Sequence, residues 1–185
     1  MYKFIAIFFL LFCNSSSFAE ENTTLYEDIL AQEWIYEGFD VTKTETGIDL
    51  NSVEKIKISD EVTLSEIHIN LEGPFPIPEG TTLDQAMTFN INSIIQTTEL
   101  NKNYEPRNKV TDGMGAIKLD VNGFEVGYLD YQVPALNMAK IRRAVIVKEN
   151  RLYGFTIVFY DPNIEPKRGM VFDGLVILAV GSGKL

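Results

Sequence analysis

Three stretches of the chain are strongly periodic, and they predict different elements. Leu83, Met87, Ile91, Ile94 and Ile95 recur at intervals of three and four, which lays one apolar stripe along a helix over residues 82–97. Thr81 stands where a cap for the first-turn N–H groups is wanted, with Asp84 three residues on as its capping-box partner. From Gly115 the period changes to two, and Ile117, Leu119 and Val121 alternate with Lys118 and Asp120. Asn122-Gly123 then supplies the two positive-φ positions of a tight hairpin, and Phe124–Val133 returns as the partner strand. A second hairpin joins Lys140–Lys148 to Leu152–Tyr160 around Glu149-Asn150-Arg151. Leu152–Tyr160 is apolar on both faces, as a central strand covered on each side is.

The remaining patterns are shorter. Leu25, Ile29, Leu30 and Trp34 have helical spacing and predict a helix over Thr24–Glu37, stopped by Gly38. Phe39–Leu50 reads as one or two short strands around Gly47, and Val62–Asn70 as a strand rich in β-branched residues. The alternate prolines of Gly73-Pro74-Phe75-Pro76-Ile77-Pro78 predict an extended loop. Asp161-Pro162-Asn163 ends the last strand. After Pro166, the residues Val171, Phe172, Leu175, Val176 and Leu178 suit a closing helix, against the weakening effect of Gly169 and Gly174. Hairpin loops make the long strands antiparallel, and two amphipathic helices need a sheet to cover them. The expectation is an α+β domain, an antiparallel β-sheet with helices packed on its faces, without internal repeats.

The first residues do not fit that domain. Met1 and Lys3 give a basic start, Phe4–Phe12 is an unbroken apolar run, and Ser17-Phe18-Ala19 places small residues before a cut. This is the order of a secretory signal peptide over residues 1–19, leaving a single α+β domain over residues 20–185. Export to the periplasm or the extracellular space is expected. Leu10-Leu11-Phe12-Cys13 offers the alternative of a lipid anchor through Cys13, although Phe12 fills a place where a lipobox has a small residue. No later apolar run approaches the ~20 residues of a membrane span. With the leader goes the one cysteine, which sets aside disulfides, thiolate nucleophiles and cysteine-based metal sites in the mature domain.

Charge narrows the partners. The chain has 26 acidic and 16 basic side chains, a net −10, and the leader removes only Lys3 from that balance. Acids dominate up to residue 100, and the sign reverses beyond it. Such a surface repels phosphate, so nucleic acid is not an expected partner.

The helix Leu83–Gln96, the strand pair around Asn122-Gly123, and Arg142-Arg143-Ala144-Val145-Ile146 leading into Leu152-Tyr153-Gly154-Phe155 come in a familiar order, with a last helix near Phe172. From Thr82 onward the chain resembles the PsbP-like fold. That α/β/α sandwich is shared by the oxygen-evolving photosystem subunit, a Ran-binding nuclear import factor and secreted bacterial proteins of the DcrB kind. The resemblance covers about half of the mature chain and rests on element order and hydrophobic pattern. It implies the sandwich and, in general terms, a protein that binds partners or ions; it brings no catalytic motif.

The candidate chemistry is sparse. His68, the one histidine, lies between Ile67 and Ile69 in a strand pattern, and no Gly-x-Ser-x-Gly elbow offers it a hydroxyl to activate. Asp120, Glu125 and Asp130 flank the first hairpin; paired carboxylates hydrolyse glycosides or bind calcium, but no Asp-x-Asp-x-Asp-Gly loop is present. Gly113 and Gly115 lack the Gly-Lys-Ser/Thr of a phosphate loop. Asn22-Thr23-Thr24 is a glycosylation sequon with no expected use in a chain of bacterial appearance. Tyr128, Tyr131, Tyr153, Phe155, Phe159 and Tyr160 read mainly as core. Lys140, Arg142 and Lys148 share one face of their strand and form a basic row in an acidic protein. Two readings follow: internal pairing with Glu125, Asp130 or the acidic N-terminal segment, or docking of a carboxylate-bearing partner. The functional expectation is a non-enzymatic cell-envelope binding or accessory protein whose partner is another envelope protein, with no cofactor. The alternatives are a small-ligand or divalent-ion binder, or a carboxylate-based hydrolase.

Overall fold

The computed structural model describes residues 26–57, 60, 63–100, 115–121, 123–133, 139–161, 163, 165–182 and 185. The expected leader with Cys13, the sequon, the start of the first expected helix, Val62, Gly113, Asn122 and Pro162 lie outside the described residues. Residues 26–30 are helical, and α1 (Glu33–Gly38) follows a break, so the first expected helix is two short pieces. Gln32 causes the break: its backbone is extended, and its side-chain amide donates to the Asp28 carbonyl at 3.2 Å instead of capping α1. Next come β1 (Phe39–Lys43), β2 (Gly47–Ser52), β3 (Lys55–Lys57), β4 (Thr63–Ser65), β5 (Ile67–Pro76) and α2 (Leu83–Leu100). The chain continues with β6 (Gly115–Val121), β7 (Phe124–Val133), β8 (Ala139–Lys148), β9 (Arg151–Phe159) and α3 (Glu165–Gly181).

Seven strands form one sheet in the order β1-β2-β5-β9-β8-β7-β6, antiparallel throughout, and β3 and β4 make a separate two-stranded ribbon. β9 is central, as its two-sided apolar pattern predicts. The expected proline loop differs: β5 passes through Pro74 and Pro76 and stays paired with β9, with its register shifting between Glu72 and Phe75. A bulge is where a strand accommodates a residue without an N–H. The segment expected as one strand over Val62–Asn70 also divides, into β4 and β5.

Alternation puts Ile48, Leu50, Ile67, Ile69, Leu71, Phe155, Ile157 and Phe159 on one face, under Phe172, Leu175, Val176 and Ala179 of α3. On the opposite face Leu83, Ala86 and Met87 of α2 cover Leu129 and Val145. The result is the expected antiparallel α+β sandwich, with helices on both faces of the sheet.

Candidate functional site

Arg142 is the centre of the most structured polar group on the α3 face. The β7–β8 register sets Asp130 directly opposite it, and neighbours across a ladder on the same face stand within reach of each other. The guanidinium donates from Nε to Asp130 Oδ1 at 2.8 Å and from Nη2 to Oδ2 at 3.2 Å, a two-pronged grip. From α3, Asp173 brings a carboxylate to 3.7 Å from Arg142 Nη1. The pair is half-buried, and Tyr128 lies beneath it with only 6% of its surface exposed.

Burial governs the titration of this group. It pushes the Asp173 carboxyl above its ordinary range; Arg142 pulls it back down, and Asp130 adds to the rise. Burial likewise pushes the Tyr128 hydroxyl up to about 12, with the Asp173 charge adding to the rise and Arg142 opposing it. Tyr128 is therefore a neutral hydroxyl at physiological pH.

Arg142 also separates two recesses. One, of about 230 Å³, is bounded by Asp130, Lys140, Arg142 and Phe159. The other, of about 370 Å³, is bounded by Leu119, Tyr128, Arg142, Asp173 and Ile177. Leu119 and Ile177 are about half exposed at its rim, 48% and 49%. The surface thus combines a charge-assisted pair with apolar side chains that no described residue covers.

The structure brings Lys140 and Arg142 to one recess and sets Lys148 apart. Buried Ala144 and Ile146 interrupt the expected basic row, and Lys148 Nζ stands 5.3 Å from the centroid of the Phe124 ring at the far end of the strand. The three carboxylates flanking the first hairpin also divide. Asp120 and Glu125 are opposite one another on the α2 face, while Asp130 is on the α3 face with Arg142.

His68 sits in a polar row on the α2 face. Its Nδ1 lies 2.8 Å from Asn51 Oδ1 and its Nε2 3.5 Å from Asp49 Oδ1, the oxygen to which Asn70 also donates. Among the described residues no cluster of three or more His, Cys, Asp or Glu side chains is placed to hold a metal ion. None of the described helices is long and apolar enough to cross a membrane.

Sequence reasoning missed Asp173, which helical spacing places with Met170 and Ile177 on the more exposed side of α3. It also missed what Arg143 does on the α2 face. That guanidinium donates to Asn90 Oδ1 and Thr156 Oγ1, both at 2.8 Å, and lies 3.8 Å from Glu72. The available signal was Asn90 itself, a polar residue inside the apolar stripe of α2 that is 7% exposed.

No protein-family model matches this chain, and no curated protein matches it. Among solved structures, it is similar to the solution structure of cyanobacterial PsbP (CyanoP) from Synechocystis sp. PCC 6803. The two are 13% identical, the match covers 75% of this chain and 79% of that one, and the TM-score is 0.48.

Proposed function

We propose that this chain is a non-enzymatic binding or accessory protein of the cell envelope, exported after loss of residues 1–19, and that its domain over residues 20–185 holds another envelope protein at the Arg142 surface. The observation that carries this reading is the placement of Arg142 between two open recesses with exposed Leu119 and Ile177 beside it. An arginine fork beside apolar anchors is the composition of a protein contact. In a chain of net charge −10, Lys140 and Arg142 bring two cations to one recess, where an acidic segment finds opposite charge. The partner's carboxylate takes over hydrogen bonds that Asp130 now receives, beside the Asp173 carboxylate at 3.7 Å.

Capture from an envelope extract tests this. The wild-type chain is expected to retain a defined envelope protein, and Arg142→Gln to lose it while staying folded. Equal capture by both would overturn the assignment of the surface; failure to recover any protein, together with turnover of a glycoside panel, would overturn the binding role.

A further inference from the structure

Strand β6 ends the sheet: among the described residues it pairs with β7 alone. An unpaired edge offers a ladder of N–H and C=O groups, and natural proteins usually blunt such edges. Here the edge keeps Ile117 and Leu119 about half exposed, 53% and 48%, on the α3 face. On the α2 face it carries Lys118 and Asp120, both exposed.

We infer that β6 pairs antiparallel with β6 of a second copy of this chain, about a two-fold axis at Leu119. The hairpin phase limits the possible registers. Val121 and Phe124 flank a two-residue connection and exchange backbone hydrogen bonds with each other. Alternation then turns the amides of Leu119 and Ile117 toward β7 and those of Lys118 and Asp120 outward. Outward residues must oppose outward residues. An axis at Lys118 sets lysine against lysine, and one at Asp120 sets carboxylate against carboxylate. An axis at Leu119 sets Lys118 opposite Asp120 of the second copy and Asp120 opposite its Lys118, so both charges are matched twice. On the other face Leu119 meets Leu119, and Ile117 meets Val121.

A second feature of the isolated chain favours the same register. Asp120 stands directly across the β6–β7 ladder from Glu125, a like-charge pair of the kind that destabilises a sheet. The chain's own Lys118 is held by Asp84 of α2, at 3.1 Å. In the paired form, Lys118 of the second copy comes beside Asp120 and offsets that repulsion. Each Lys118 then shares its ammonium between this carboxylate and the exposed contact with its own Asp84. The pairing shares Leu119 with the recess beside Arg142. Lys118 and Asp120, the charges that fix the register, face the α2 side, so the charge-swap variants test the pairing separately from docking at Arg142.

Sedimentation of the chain isolated from cells expressing the full-length sequence tests it. The expected result is concentration-dependent dimerisation, weakened about tenfold or more by Lys118→Glu or Asp120→Lys alone, since each turns two matched pairs into like-charge pairs. Mixing the two single variants is expected to give a mixed dimer, because the carboxylate introduced in one copy then faces the ammonium introduced in the other. The double variant K118E/D120K is expected to dimerise with itself. Asp120 also accepts the Gly123 N–H at 3.0 Å and so supports the hairpin, so Leu119→Asp provides an independent test by placing two carboxylates on the axis. A wild-type chain that stays monomeric throughout, or a dimer indifferent to Lys118→Glu and Leu119→Asp, would overturn the inference.

Discussion

Arg143 lies along the sheet because Gly154 on the neighbouring strand has no side chain; a Cβ there would collide with the guanidinium. Gly127 plays the same part for α2, since a Cβ on it would come within 2.5 Å of Met87 Sδ. Gly127→Ala should therefore cost about 1–3 kcal/mol of stability. Shortening Met87 in the same chain should recover part of that loss, and denaturant titrations of the two single variants and the double variant give the coupling. Strict additivity would mean that the two residues do not compete for this space. The Arg142 group makes a prediction in pH. Folding raises the Asp173 pKa, so the folded chain holds that proton more tightly than the unfolded one. Stability linked to Asp173 is therefore present at low pH and falls as pH rises through the window between the ordinary and the raised value. Asp173→Asn should flatten that stretch of the profile of melting temperature against pH, and an unchanged profile would rule out the linkage.

At the scale of elements, α2 starts one residue later than its sequence predicts. Thr82 accepts from the Gln85 N–H at 3.3 Å while the Gln85 side chain accepts from the Thr82 N–H at 2.9 Å, a reciprocal capping box. Thr81 instead donates its hydroxyl to the Pro78 carbonyl at 2.6 Å. Thr82→Ala should cost about 0.5–2 kcal/mol, whereas Thr81→Ala should stay within about 0.5 kcal/mol; thermal melts that reverse this order would contradict the assignment. Both hairpins were legible because turn chemistry is local. Asn122-Gly123 marks the first, and Glu149 and Asn150 adopt positive φ, 48° and 61°, in the second. The course of β5 through two prolines was not legible, because a bulge is fixed by the partner strand and not by the residues that form it.

For the whole molecule, the antiparallel sheet and its helical layers were legible from period and loop length. The joining of β1, β2 and β5 to the C-terminal hairpins was not, since the β5–β9 pairing joins residues far apart in sequence, from Ile67 with Phe159 to Pro76 with Arg151, and leaves no local trace. The same limit applies to the site. Lys140, Arg142 and Lys148 could be placed on one face from alternation, but the arrival of Asp173 from α3 and the separation of Lys148 depend on tertiary packing. Under the proposed function Arg142 serves a partner as well as its own fold, and Asp130 separates these roles. In capture from envelope extract, Asp130→Asn removes the carboxylate that competes for the fork and should retain the partner at least as well as the wild type, while Arg142→Gln should lose it. If both variants capture alike and both lower the melting temperature alike, Arg142 is a structural cation and the docking surface lies elsewhere.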